Sequence, residues 1–112
     1  MRKNPLMEAP PYPVEQALKK LGANLRTARV RRGLTIASVS EKIGAGPRVI
    51  ADAEQGKAST GAAVYTALLW LYDLLGPFED LANPRKDEQG LILESRRSPK
   101  RAGRRRGLDN DF

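Results

Sequence analysis

Between Gly33 and Gly56 the chain is cut so often by helix-ending and helix-starting residues that only short helices fit. Upstream, Val14, Leu18, Leu21, Leu25 and Ala28 recur at intervals of three and four, with Lys19, Lys20, Arg26, Arg31 and Arg32 on other faces. That period marks an amphipathic helix, and Gly33 closes it. Thr35 is a good N-cap for a second, short helix whose Val39 and Ile43 point one way. Gly44 then occupies the place that favours a left-handed residue, ending that helix. Gly46-Pro47 restarts the chain as a third helix. Proline in a first turn costs nothing there, because its missing donor would be unpaired anyway. Val49, Ile50 and Ala53 are expected to turn inward and Gly56 to end the helix.

A fourth helical block is expected from Ala62 to Leu75, carrying Val64, Leu68, Leu69, Trp70, Leu71, Leu74 and Leu75. It is apolar nearly all round, more than one small core can cover. A second subunit is the economical cover, which makes Trp70, Leu71, Leu74 and Leu75 the candidate dimer surface; the alternative is that the terminal segments fold over it. The first dozen residues, with prolines at 5, 10, 11 and 13, are expected to form a flexible arm without regular helix. The organisation is then an arm over 1–13, a domain over 14–82 and a basic tail over 83–112. Asn83-Pro84 resembles another cap and first turn, so 84–97 reads as a fifth helix, or Leu91-Ile92-Leu93 as an edge strand. Beyond Ser98 the expectation is disorder unless a partner binds.

With 112 residues and 12.3 kDa there is room for one core. Cysteine and histidine are both absent, which removes thiol nucleophiles, imidazole bases and the usual zinc spacings. No cofactor or metal is expected, and no enzyme: Asp73, Glu79 and Asp80 read as helix-surface charge without a nucleophile or phosphate cradle. No apolar run suits a signal peptide or a membrane span, so a cytoplasmic protein is expected. The net charge is +7. Residues 1–84 hold 11 basic and 8 acidic side chains and residues 85–112 hold 9 and 5, with seven Lys or Arg and no acid from Arg96 to Arg106. That run is either a solvated tail or a phosphate-seeking arm.

Leu25-Arg26-x-x-Arg29, Gly33-Leu34-Thr35, the central Gly44 and Glu54-Gln55-Gly56-Lys57 together resemble the lambda-repressor-like, or XRE, family over about half the chain, from Leu21 to Gly76. The resemblance implies an all-α, compact four- to five-helix domain containing a helix-turn-helix over about 35–55, and binding to double-stranded DNA. In that geometry the second of the two short helices lies in the major groove. Arg29 and Glu54 stand where the family has a buried ion pair. Pro47, Arg48, Ala51 and Asp52 fall on the groove-facing side, and only Arg48 is a strong base reader, able to donate twice to guanine. Asp52, one turn on, is expected either to hold Arg48 or to accept from cytosine; the alternative is a surface pair facing water. Thr35, Gln55, Lys57 and Ser59 match positions that approach phosphate. One departure is Ile36, where the family commonly has Gln; Ile cannot donate to phosphate.

Leu81-Ala82-Asn83-Pro84-x-x-Asp87-Glu88-x-Gly90-Leu91 and Arg96-Arg97-x-Pro99-Lys100-Arg101 resemble the tail of HipB-type regulators. These are antitoxins of HipA-like serine/threonine kinases. That resemblance implies a nucleoid-associated homodimer on a palindromic operator, repressing its own operon and restraining a kinase. A solitary or prophage repressor, or an interaction adaptor with weak DNA binding, remain the other readings.

Overall fold

The computed structural model describes residues 4–97. Seven α-helices and one 3-10 turn are found there: α1 Pro5–Glu8, α2 Tyr12–Arg31, α3 Ile36–Ile43, α4 Pro47–Glu54, α5 Ala62–Leu71, α6 Leu75–Glu79, a 3-10 turn Pro84–Lys86 and α7 Glu88–Arg97. No strand occurs among the described residues. The chain divides into two compact units, one ending at Glu79 and one beginning at Asp80.

In the first unit α2 to α5 surround one core of Leu25, Ala28, Val39, Ile50, Ala53, Tyr65, Leu68 and Tyr72. Each helix contributes its three-to-four spaced apolar side chains, and α4 packs on both α2 and α3. The α2–α4 contact is close because Gly22 has no side chain: a Cβ there would lie 2.6 Å from the carbonyl oxygens of Ala53 and Glu54. α3 begins at Thr35, whose hydroxyl accepts from Ser38 N–H at 3.0 Å while Ser38 Oγ accepts from Thr35 N–H at 3.1 Å. This reciprocal box satisfies two donors that the helix itself leaves unpaired. α3 ends at Gly44, whose φ of 75° reverses the chain at little cost for a residue without Cβ.

The structure departs from the sequence expectations at four places. The arm is helical in part: Asn4 caps Leu6 N–H at 3.1 Å and starts α1, and α2 begins at Tyr12 rather than Val14. Pro5 and Pro13 lie in first turns, where a missing N–H breaks nothing. Val14 accordingly lies on an exposed part of α2 and does not enter the core. Val49 also points outward, so α4 buries Ile50 and Ala53 alone. The expected helix 62–75 stops at Leu71: Asp73 takes φ 60° and Leu74 N–H bonds Leu69 C=O at 2.8 Å, a six-to-one closure. Trp70 and Leu74 are exposed while Leu71 and Leu75 are half-buried, with Leu71 against the core. The four candidate dimer residues thus straddle a chain reversal and do not share one helical face.

The second unit is tied by side chains. Asn83 Nδ2 donates to Asp80 Oδ1 at 2.7 Å, Asn83 Oδ1 accepts from Arg85 N–H at 2.9 Å, and Lys86 pairs with Asp80. These donors hold the Asp80 carboxyl below the usual carboxylate range, Lys86 first and Asn83 second. Asp87 Oδ1 accepts Gly90 N–H at 3.0 Å and Asp87 C=O accepts Leu91 N–H at 3.0 Å, so Leu91-Ile92-Leu93 continue a helix and form no edge strand. Of the basic run only Arg96 and Arg97 lie on α7; the expected disorder beyond Ser98 and the arm role of Lys100 to Arg106 concern residues outside those described.

Candidate nucleic-acid interface

α3 and α4 are joined by Gly44-Ala45-Gly46, and Ser40 Oγ donates across this turn to Ala45 C=O. The bond ties the body of α3 to the residue entering α4, which fixes how the second helix leaves the first. α4 then presents Pro47, Arg48 and Val49 outward, with Ala51 and Asp52 half-buried beside them. Gln55, Lys57 and Ser59 are exposed just beyond its end, and Thr35 is exposed at the start of α3.

Arg48 has no ion-pair partner among the described residues, so its guanidinium is available for a ligand. The expected Arg48–Asp52 pair does not form. Asp52 instead takes Lys57 Nζ at 3.2 Å, and Lys57 N–H bonds Asp52 C=O at 3.1 Å. The turn after α4 brings Lys57 back over Asp52. One expected phosphate contact is therefore partly neutralised. Thr35 spends its hydroxyl and its own N–H within the capping box, which leaves the first-turn N–H groups of Ile36 and Ala37 without intrahelical acceptors. The Ile36 side chain packs against the core and so has a structural role.

Arg29 and Glu54 meet in two parallel bonds, Nε to Oε2 at 2.6 Å and Nη2 to Oε1 at 3.0 Å. Their side chains are 11% and 6% exposed. Arg29 Nη1 also donates to Leu34 C=O at 3.0 Å. One guanidinium thus ties α2 to the end of α4 and to the residue before the α3 cap. The Glu54 hydrogen bond raises the Arg29 pKa, outweighing the burial that lowers it.

Two further braces carried no motif in the sequence. Tyr65 on α5 donates its hydroxyl to Lys57 C=O at 3.2 Å, holding the turn that carries Lys57 and Ser59. Arg32 donates to Ala28 C=O and Tyr72 C=O, each at 2.9 Å, and its guanidinium lies 5.4 Å from the Tyr72 ring centre. A tyrosine three residues before Leu68, on the same face of α5, and an arginine beside Gly33 were the available signals. Burial pushes both tyrosine hydroxyls to higher pKa, and at Tyr72 the Glu54 carboxylate adds to the effect.

Two short helices set at a fixed turn, the second presenting an arginine with no ion-pair partner among the described residues, define a DNA-binding helix-turn-helix protein. Residues 20–81 match the family model of the helix-turn-helix domain. That is more than half of the 112 residues, and the chain belongs to this family of DNA-binding regulators. No curated protein and no solved structure matches it. Among the described residues no helix is long and apolar enough to cross a membrane.

Proposed function

We propose that the chain is a sequence-specific transcriptional repressor that binds a palindromic operator in the nucleoid as a homodimer and has no enzymatic activity of its own. The observation that carries the reading is the outward face of α4. It offers Arg48 without an ion-pair partner among the described residues, on a helix whose end is clamped by the bidentate Arg29–Glu54 bond. A guanidinium aimed at guanine O6 and N7 discriminates between bases by about 1–3 kcal/mol. Trp70 and Leu74, exposed apolar groups of the first unit, are open to a second copy. In a dimer the two α4 helices meet half-sites about one helical turn apart.

The more particular reading is that of an antitoxin that represses its own operon and restrains a HipA-like serine/threonine kinase. It is supported by the likeness of 81–101 to HipB-type tails. The adaptor reading is favoured by two observations: Asp52 neutralises Lys57, and Ile36 offers no donor. Arg48→Ala, assayed on a selected operator and on scrambled duplex, separates these. Loss of affinity mainly on the operator supports base reading; equal loss on both assigns Arg48 to phosphate, and weak binding of the unaltered chain to every duplex favours the adaptor. Affinity purification of the tagged chain through moderate salt tests the kinase: a stoichiometric kinase-like protein supports the antitoxin, while self-dimer and DNA alone leave a solitary repressor.

A further inference from the structure

We infer that α7 is a self-pairing helix: two copies of the chain join their α7 helices antiparallel, with Ile92 on the two-fold axis and Glu88 of each facing Arg96 of the other. α7 buries none of its own residues, and Leu91, Ile92 and Leu93 are 49%, 53% and 47% exposed. A helix of 10 residues is too short to persist on propensity alone and needs an apolar surface to lie on. Glu88, Ile92 and Arg96 are spaced four and four, so they form one stripe along it, with Leu91 and Leu93 about 100° to either side.

The order of that stripe identifies the occupant. It runs acid, apolar, base, with the two charges equidistant from Ile92. A parallel copy would set Glu88 against Glu88 and Arg96 against Arg96. An antiparallel copy makes two ion pairs, covers Ile92 with Ile92 and aligns the helix dipoles favourably. A second copy supplies this complement without any further sequence, as an isologous contact requires. No ion pair among the described residues engages Glu88 or Arg96, so both charges are available for it. A helix pair about 15 Å long buries well under the ~1,200 Å² of a standard interface. It therefore closes where copies are already held near one another, as on a shared duplex, or at high protein concentration.

The test needs no DNA, so it stands apart from the operator reading. The chain has no cysteine, and Ile92→Cys in the full chain places a single thiol on the proposed axis. Two such thiols oxidise readily only when their Cα atoms approach within about 7 Å. At millimolar chain concentration, where the contact closes without DNA, the expected result is disulfide dimer forming at least about tenfold faster than in Gln16→Cys, an exposed site on α2. Adding Glu88→Arg or Arg96→Glu alone should return the rate to that of the control. Adding both should restore it, which a folding defect cannot mimic. Equal rates at positions 92 and 16, or singles without effect, or a double variant as slow as its singles, would each overturn the pairing and assign the face to another protein or to the chain's own terminal residues.

Discussion

Removing the Glu54 carboxylate is the sharpest perturbation that the first unit offers. Glu54→Ala deletes both acceptors of Arg29 Nε and Nη2 and leaves a guanidinium that is 11% exposed with only Leu34 C=O as partner. Breaking a buried pair from one side typically costs about 3–5 kcal/mol, because the remaining charge is neither solvated nor neutralised. The bond to Leu34 argues for the lower end of that range. A unit of this size, ending at Glu79, has a total stability of about 4–12 kcal/mol, so the loss is a large share of the whole. At about 4–8 °C per kcal/mol, a loss of 3 kcal/mol lowers Tm by about 12 °C or more. Thermal and urea unfolding followed by circular dichroism measure this, and DNA affinity should fall with stability. Glu54→Gln keeps the shape and one acceptor and should lose about half as much. Arg29→Met combined with Glu54→Leu removes both charges and should recover most of the loss. Because the pair is shielded, 1 M salt should leave the difference between wild type and Glu54→Ala nearly unchanged. A Tm for Glu54→Ala within about 2 °C of wild type would refute the reasoning, since that is the behaviour of an exposed pair.

Thr35→Ala removes the acceptor of Ser38 N–H and should cost about 1 kcal/mol, seen as a lower urea midpoint with unchanged m-value. Gly22→Ala places a Cβ 2.6 Å from two carbonyl oxygens of α4 and should destabilise by about 1–3 kcal/mol while also weakening operator binding, because α4 must move; full operator affinity would refute the second part. Tyr65 and Tyr72 have pKa values raised by burial, so the folded state keeps protons that the unfolded chain releases. Their stabilising effect is complete below the unfolded tyrosine value of about 10 and is lost as pH rises above it. Melting should be flat in pH through neutrality and fall above about pH 10; in Tyr72→Phe the alkaline fall should be shallower.

What the sequence made legible is what short-range chemistry decides. Thr35, Gly44 and Gly46-Pro47 act on their own few residues, and the limits of α3 and α4 follow them. Arg29 and Glu54, 25 residues apart, could be matched only through the family resemblance. What stayed hidden depends on geometry between elements. Val49 points outward because the rotation of α4 is set by its contact with Gly22 and by the Arg29 clamp, neither of which is written in its own period. Asp52 chose Lys57 over Arg48 because a turn, and not a helix, brought Lys57 near. The end of α5 was missed because Asp73, not a glycine, takes the left-handed conformation there. Prolines 5 and 13 misled in the opposite sense: each blocks a helix interior but suits a first turn, and only the capping partners tell the two apart.

The same geometry explains how so small a domain can hold a reading helix still. α4 is gripped at its start by Ser40 through Ala45, and at its end both by the close contact of Gly22 with Ala53 and Glu54 and by the Arg29 clamp. The turn beyond it is held by Tyr65. These groups come from α2, α3 and α5, so no rocking of α4 escapes all of them at once. Positioning and base contact are thereby carried by different residues. Substitutions among Ser40, Gly22, Arg29 and Tyr65 should lower affinity for all duplexes alike through stability, whereas those at Arg48 and Val49, which no brace uses, should change which sequence is preferred and leave Tm in place. A variant of Arg48 that lost both Tm and discrimination in proportion would break that division, and with it the claim that α4 is a rigid platform bearing a small, separable reading face.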